Sequence, residues 1–190
     1  MELQWFDIRE LTDESAQAVL SMMDETRRRR VADIAGEDDR KRTIAGELLV
    51  RRMAAATLHC AEKDVPLTWD ELGKPTVERG GVYVSVSHSG AWVVCVTADV
   101  PVGVDVEVIR SAQEKFMRRV CSTEEMAYIR PCDDGGCRRF WEIWTAKESL
   151  FKLTGKGPLL TLSRFALPAG VSLDYTEKNG CALTVAAQIL

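Results

Sequence analysis

Apolar side chains in the first third of the chain recur at the spacing of α-helices. Residues 13–30 form a polar amphipathic pattern that predicts one helix. A stronger pattern covers 37–60, where Ile44, Leu48 and Met53 recur at helical spacing. Two helices are therefore expected before the first predicted strand.

The middle of the chain changes to the alternating pattern of strands. Residues 63–75 contain turn signals and are expected to form a loop. Three strands are predicted at 82–87, 92–98 and 102–108. Because the connections between them are short, an antiparallel meander is expected.

The second half repeats this order of helices followed by strands. Helices are predicted over 112–129 and 138–154, and a hairpin over 171–175 and 181–189 around Asn179-Gly180. The expected fold class is α+β, built from two similar halves. Each half is expected to be a small antiparallel sheet packed with helices, with the division at 1–100 and 101–190.

Composition and charge narrow the class of protein. The chain has 190 residues, 46% hydrophobic and 28% charged, which is typical of a globular protein and excludes a disordered chain. The net charge of −4 argues against general nucleic-acid binding. Residues 27–52 nevertheless carry nine basic and five acidic side chains, which predicts either an anion site or a solvated charged face.

The compartment is expected to be the cytoplasm. The first ten residues do not resemble a signal peptide, and no run approaches the length of a membrane span, so no membrane association is expected. Six cysteines without a Cys-x-x-Cys motif, and only two histidines, argue against zinc and favour free thiols. Cys132 and Cys137 flank a Gly-rich turn, but a disulfide between them is not favoured in this reducing compartment.

The strand 102–108 carries two carboxylates in alternation. Asp105 and Glu107 project from the same face, about 6.5–7 Å apart at the backbone, while the valines face the core. Such a pair can bind one Mg²⁺, a hard cation that prefers oxygen ligands. The alternative is the solvated face of a half-buried strand.

Two further patterns contain candidate chemistry. Trp144, Glu148 and Lys152 are four residues apart and share a helical face, which indicates either a phosphate-binding and metal-binding face or a simple salt bridge. Ser87 and His88 lie where a strand meets a tight turn, which offers donors to a phosphate. Adjacent strand residues face opposite ways, so these two are poorly placed as a nucleophile and its base.

The order of four motifs is more specific than any one of them. Gly-Lys-Pro at 73–75 is followed by Ser-His-Ser at 87–89, Gly-Val-Asp-Val-Glu at 103–107, and Trp-Thr-Ala-Lys-Glu-Ser-Leu-Phe-Lys at 144–152. This order resembles the 4′-phosphopantetheinyl transferase superfamily, of the larger surfactin-synthetase-activator (Sfp) type. The resemblance extends from about Arg27 to Gly157.

The resemblance implies an enzyme, a holo-[carrier protein] synthase. It would transfer the phosphopantetheine arm of coenzyme A to a serine of an apo acyl or peptidyl carrier protein and release adenosine 3′,5′-bisphosphate. The implied metal is Mg²⁺, with Mn²⁺ as the alternative, and coenzyme A is the co-substrate. The implied fold is a pseudo-dimer with the active site in the cleft between the halves, acting as a monomer.

The resemblance also assigns residues by position. The implied magnesium ligands are Asp105, Glu107 and Glu148. The implied coenzyme A contacts are Arg27, Arg30, Arg42, Lys74, Ser87, His88 and Lys152. The implied catalytic residues are Glu148, Lys152, Glu125 and His88, with Glu124 as the alternative to Glu125. The proton acceptor for the serine is left open between Glu148 and Glu125, acting directly or through water.

Two other functions are kept as alternatives. A magnesium-dependent nucleotide phosphohydrolase would use the same carboxylates with an activated water. A non-catalytic homologue that only binds carrier proteins would keep the fold without the chemistry, although the retained acidic and lysine residues argue against it.

Overall fold

The computed structural model describes residues 1–70, 73–130, 137–155 and 161–189. The chain divides into two compact units, Met1–Asp99 and Val100–Leu190. Each unit contains helices and an antiparallel sheet, which confirms the α+β class. In the part of the chain that is described, no helix is both long and apolar enough to cross a membrane.

The first unit is built on a three-stranded antiparallel sheet of order β1-β5-β4, beside a two-stranded sheet. Its strands are β1 (Glu2–Asp7), β2 (Leu67–Trp69), β3 (Pro75–Val77), β4 (Tyr83–Ser89) and β5 (Trp92–Ala98). β5 lies in the centre and pairs with both β1 and β4. The loop expected over 63–75 contains β2 and the first residue of β3, and these two strands form a short hairpin.

Three helices accompany this sheet: α1 (Asp13–Met22), α2 (Glu25–Ala32) and α3 (Glu37–Leu58). The single helix expected over 13–30 is wrong, because Asp24 interrupts it and caps α2 by accepting a hydrogen bond from the Arg27 amide. α3 packs across β4 and β5, and its apolar face supplies Leu49, Val50 and Met53 to the core.

The second unit has a three-stranded antiparallel sheet of order β6-β8-β7. Its strands are β6 (Val102–Val108), β7 (Val171–Lys178) and β8 (Cys181–Gln188), and its helices are α4 (Glu114–Val120), α5 (Thr123–Ile129) and α6 (Cys137–Thr154). The predicted meander is therefore wrong for β6, which pairs with β8 and belongs to this sheet instead. The hairpin around Asn179-Gly180 is confirmed.

The helix expected over 112–129 is divided into α4 and α5. Ser122 caps α5 by accepting from the Glu125 amide, and the Glu125 carboxylate accepts from the Ser122 amide at 2.7 Å. This capping box satisfies two amides that a continuous helix would bond differently. The start of α5 therefore lies inside 112–129, a region that the spacing of apolar residues alone predicts to be one helix.

The longest helix of this unit, α6, lies directly against β6. A Cβ atom on Gly103 would stand 2.2 Å from the Ser149 carbonyl oxygen and 2.6 Å from the Leu153 nitrogen. Only glycine permits this approach of helix to strand. The contact fixes the distance between the two elements that carry the candidate carboxylates.

The described cysteines are free thiols: Cys60, Cys95, Cys121, Cys137 and Cys181. Burial raises the pKa of Cys95 to about 12 and that of Cys121 to about 11, so both remain protonated thiols at neutral pH. Cys132, and with it the Cys132–Cys137 pairing, lies outside the described residues.

Candidate active site

In the second unit, β6 directs its two carboxylates toward α6. Gly103, Asp105 and Glu107 alternate with buried valines along the strand, and α6 covers the Gly103 position. Asp105 is only 5% exposed. It therefore does not lie on a solvated strand face, the alternative that the sequence left open.

Lys152 of α6 is placed next to this strand. Its ammonium donates to Asp105 Oδ1 at 2.9 Å and to the Val104 carbonyl oxygen at 3.0 Å. The Lys152 side chain is 27% exposed, so it pairs with a buried carboxylate while remaining partly open to solvent. An anion that approached this position would meet a cation already held by two hydrogen bonds.

Glu148 lies one turn before Lys152 on the same helix. Burial raises the pKa of Glu148, and the negative charges of Asp105 and Glu107 raise it further, whereas Lys152 opposes them. The charges of Asp105 and Glu107 therefore act directly on Glu148. Among the residues described, no three His, Cys, Asp or Glu side chains converge closely enough to hold a metal ion.

The donor set of this cluster fits a hard divalent cation. Asp105, Glu107 and Glu148 offer carboxylate oxygens. Burial, and after it the negative charges of Asp105 and Glu107, raise the pKa of Glu148, and a bound cation would offset both effects. Mg²⁺ commonly uses one or two protein carboxylates and completes its shell with water and phosphate oxygens. Convergence of all three side chains is therefore not required.

Trp144 of the same motif has a different environment. Its ring packs against Phe116, with centroids 5.3 Å apart, and stacks on Phe140 at 6.4 Å. It belongs to the apolar cluster that joins α4, α5 and α6. Trp144, Glu148 and Lys152 were predicted to share one helical face. At the start of that face Trp144 packs in the apolar cluster, whereas Glu148 and Lys152 further along it lie beside charged groups.

Glu125 is fully buried and is held by two partners. Its Oε2 accepts from the Ser122 amide and lies 2.7 Å from the Lys147 ammonium, which is itself 1% exposed. Glu124, the neighbouring alternative, is exposed. The catalytic role expected for Glu125 stays a prediction, and its surroundings are those of a buried ion pair.

In the first unit, Ser87 and His88 lie near the end of β4 on opposite faces, as the alternation predicts. Ser87 is buried, whereas His88 is exposed. His88 follows Val84 and Val86 on the face covered by α3, and its charge contributes to lowering the pKa of Asp39. The imidazole is therefore close to the first turn of α3.

Arg42 connects α3 to the turn after this strand. Its Nη1 donates to the Gly90 carbonyl oxygen at 2.7 Å, and its other terminal nitrogen pairs with Asp39. The hydrogen bond from Arg42 lowers the pKa of Asp39. Arg42, Asp39 and His88 thus form one charged cluster beside the β4–β5 turn.

Arg27 is more enclosed than an exposed phosphate ligand would be. Its guanidinium lies 3.9 Å from the centre of the Trp69 ring, and its Nε lies 3.5 Å from Glu47 Oε2. Glu47 is buried and also pairs with Arg51 at 2.8 Å. Burial lowers the pKa of Arg27, and Glu47 partly opposes this effect.

The other predicted coenzyme A contacts of this unit are exposed. Arg30 lies on α2 close enough to Arg27 that its charge helps to lower the pKa of Arg27. Lys74 lies in the turn between β2 and β3, where its amide donates to Asp70 Oδ1 at 2.8 Å. Both side chains are accessible to an anion from solvent.

Sequence reasoning missed four residues that organise these clusters. They are Asp39, Glu47, Trp69 and Lys147. A signal existed for Glu47, which is four residues before Arg51 in a run that is otherwise apolar. None existed for Trp69 or for the partner of Lys147, because both contacts depend on tertiary packing.

Comparison with known proteins adds an independent observation. Residues 101–183 match the model of the 4′-phosphopantetheinyl transferase superfamily. Residues 10–100 match the model described as 4′-phosphopantetheinyl transferase, N-terminal. The two matches are consecutive and meet close to the boundary between the two units.

Curated relatives agree with these matches. The chain is 28% identical to the 4′-phosphopantetheinyl transferase Sfp of Bacillus subtilis, over 84% of this chain and 72% of the relative. It is 31% identical to the transferase gsp of Aneurinibacillus migulanus, over 67% and 54%. It is 33% identical to a phosphopantetheinyl transferase of Thraustochytrium, over 82% and 58%. The chain thus spans little more than half the length of the last two relatives.

The chain belongs to the 4′-phosphopantetheinyl transferase superfamily. Within that superfamily its relatives are of the Sfp type, as the ordered motifs indicated.

Proposed function

We propose that this protein transfers the 4′-phosphopantetheine arm of coenzyme A to a serine hydroxyl of an acyl or peptidyl carrier protein. The observation that carries the proposal is the contact between Lys152 and Asp105 on the face of β6 that α6 covers, with Glu148 one helical turn away. This cluster combines carboxylates for a cation with an ammonium for a phosphate. Family membership supports the same reaction.

The reaction displaces one phosphate oxygen by another. The serine oxygen forms a bond to the phosphorus that bears the pantetheine arm, and the bond from that phosphorus to the bridging pyrophosphate oxygen breaks. Adenosine 3′,5′-bisphosphate leaves with the electron pair. Such a transfer depends mainly on positioning and on neutralisation of charge.

The candidate residues on β6 and α6 have different roles in this reaction. Asp105, Glu107 and Glu148 would hold Mg²⁺, which, when bound, neutralises the pyrophosphate and stabilises the leaving group. The Lys152 ammonium, oriented by Asp105, binds a pyrophosphate oxygen. A carboxylate oxygen of Glu148 would accept the serine proton, directly or through water, because Glu148 lies one helical turn from the Lys152 that binds the pyrophosphate. Mn²⁺ is the alternative cation.

The first unit supplies cations for the nucleotide end of coenzyme A. We assign Arg42, Arg30 and Lys74 to its phosphates, with donors from Ser87 and His88 at the end of β4. Arg42 supports this assignment because its guanidinium is fixed by the Gly90 carbonyl and lies beside His88. Arg27 contributes through its position next to Arg30, although its guanidinium is largely engaged by Trp69 and Glu47.

The test is incubation of the protein with coenzyme A, Mg²⁺ and a panel of apo carrier proteins from fatty-acid, polyketide and nonribosomal-peptide systems. Intact-mass spectrometry should show a carrier heavier by one phosphopantetheine group. A carrier whose acceptor serine is replaced by alanine is the matched control and should gain nothing. Chelation of divalent cations should stop the reaction, and added Mg²⁺ should restore it.

The same experiment separates the alternatives. Release of nucleotide or phosphate without a heavier carrier would indicate a phosphohydrolase. Binding of the carrier without metal-dependent turnover would indicate a non-catalytic homologue. We further propose that the protein is a monomer, which light scattering would test. We also propose that it lies in the cytoplasm, which the free thiols of the described residues support and which cell fractionation would test.

A further inference from the structure

A buried ion pair connects three helices of the second unit at one point. The Lys147 ammonium of α6 donates to the carbonyl oxygen of Val120, the last residue of α4, at 2.8 Å. It also lies 2.7 Å from Glu125 Oε2, in the first turn of α5. Because that same oxygen accepts from the Ser122 amide, the end of α4 and the start of α5 are both attached to α6.

The arrangement matches charge to the helix ends. The ammonium lies at a C-terminal carbonyl, where a positive charge is favoured, and the carboxylate lies in a first turn, where a negative charge is favoured. Both side chains are nevertheless almost completely removed from water. Since burial of an ion pair is costly, its presence here indicates a role in fixing one arrangement of the helices.

The pair also fixes how α6 is turned about its axis. Consecutive helix residues are rotated by about 100°, so the direction of Lys147 sets the direction of Glu148. With Lys147 held at the α4–α5 junction, Glu148 lies among the charges of Asp105, Glu107 and Lys152. A rotation of α6 that moved Glu148 would break the contacts of Lys147.

The position of Glu125 does not suit a proton acceptor. Its Oε2 already has the Ser122 amide and the Lys147 ammonium as partners, and its Oε1, which has no hydrogen-bond partner, is equally removed from solvent. A general base must come within hydrogen-bond distance of the proton that it removes. The serine of a separate carrier protein does not reach such a carboxylate without breaking the α4–α5 junction.

We infer that Glu125 and Lys147 are positioning residues for the transfer reaction, which hold Glu148 toward β6, and that Glu125 is not the proton acceptor. The inference rests on the proposed transferase function. If it is correct, removal of the pair lowers kcat more than it changes KM. The effects of the two single variants are then also not additive in the double variant.

The test compares Glu125→Gln, Lys147→Met and the double variant. Glu114→Gln is the matched control, because it removes a carboxylate of the same unit that pairs with Arg118 on an exposed surface. Met126→Ala is the control for stability, since it removes a buried side chain of α5 without a change of charge. Turnover, KM for coenzyme A, KM for the carrier and the melting temperature of metal-free protein are measured for each.

We expect Glu125→Gln to lower kcat by about 10-fold relative to Glu114→Gln, with both KM values within about 2-fold of the wild type. Lys147→Met should be more harmful, because it leaves a buried carboxylate without a cation, whereas in Glu125→Gln the Lys147 ammonium keeps the Val120 carbonyl oxygen and gains an amide oxygen as acceptor. The double variant should exceed Lys147→Met in both melting temperature and kcat, since it leaves no lone charge. The double variant carries no charge at either position, so it can still be measured if a single variant does not fold.

Two results would overturn the inference. Loss of kcat by about 1000-fold or more in both Glu125→Gln and the double variant, with loss of the acidic limb of the pH profile, would make Glu125 the base. Unchanged kcat in every variant, with a fall in melting temperature like that of Met126→Ala, would leave the pair with a purely structural role. Failure of the proposed function is separate, because the wild-type protein would then show no transfer.

Discussion

Replacement of Gly103 by alanine is expected to disrupt the active site without touching a charged group. The new Cβ would stand 2.2 Å from the Ser149 carbonyl oxygen, 2.6 Å from the Leu153 nitrogen and 3.2 Å from the Leu153 Cα. All three atoms belong to the backbone of α6, so no side-chain rotation relieves the contact. The helix itself must move away from β6.

The size of the movement follows from these distances. Ordinary van der Waals contact begins near 3.4 Å, so α6 must retreat by about 1 Å at its closest point. The hydrogen bond between Lys152 and Asp105, now 2.9 Å, lies on the displaced side. Overpacking of this kind costs about 1–3 kcal/mol, and a misplacement of about 1 Å can reduce catalysis by roughly 100-fold.

The assay combines thermal denaturation with carrier-loading rates measured at a temperature where the variant is folded. For a unit of this size, about 1–3 kcal/mol corresponds to a melting temperature lower by roughly 4–20 °C. Gly46→Ala is the matched control, because its Cβ would meet only the Val86 side chain, at an ordinary 3.5 Å. Since Gly46 lies inside α3, alanine there should be neutral or stabilising.

The refuting result is a Gly103→Ala variant that keeps wild-type kcat/KM and melting temperature. It would mean that the distance between α6 and β6 does not set the geometry of Asp105 and Lys152. If Gly103→Ala lost no more activity or stability than Gly46→Ala, the conclusion would be the same.

Three further substitutions test the charged groups. Asp105→Asn should lower transfer by about 100-fold or more while the melting temperature changes little, because asparagine can still accept from Lys152; normal transfer would remove Asp105 from the metal site. Arg42→Ala should raise KM for coenzyme A more than KM for 3′-dephospho-coenzyme A, and equal losses would exclude the 3′-phosphate as its target. Because the pKa of Glu148 is raised in the folded protein, the ionised carboxylate lowers the free energy of unfolding at neutral pH. Glu148→Gln should therefore raise the melting temperature of metal-free protein at pH 7–8, by an amount that shrinks as the pH falls and the wild-type carboxyl is protonated; a gain independent of pH would contradict this.

The sequence was informative where a function depends on local spacing. Alternation along 102–108 placed Asp105 and Glu107 on one face, and helical spacing placed Glu148 one turn from Lys152. The order of the motifs then identified the family before any tertiary contact was known. Residue spacing within one element is fixed by backbone geometry, so these predictions did not depend on packing.

Features that depend on partners distant in sequence were not predicted. β1 was not expected, since its pairing with β5 joins residues from opposite ends of the first unit. β6 was assigned to the wrong sheet, because short connections do not determine which strand a given strand pairs with. The partners of Arg27 and Lys147 follow only from how helices and strands pack, which a pattern within one element does not encode.

The strand order of the second sheet has a consequence for how the protein is made. β8 follows both β6 and β7 in the chain, yet it lies between them in the sheet and pairs with both. The described strands of the first unit, β1 to β5, have all emerged before β6 is made, whereas the sheet of the second unit cannot close until Cys181–Gln188 has been synthesised. A chain that stops before Cys181 would therefore carry every proposed metal ligand and still lack the strand that completes their sheet.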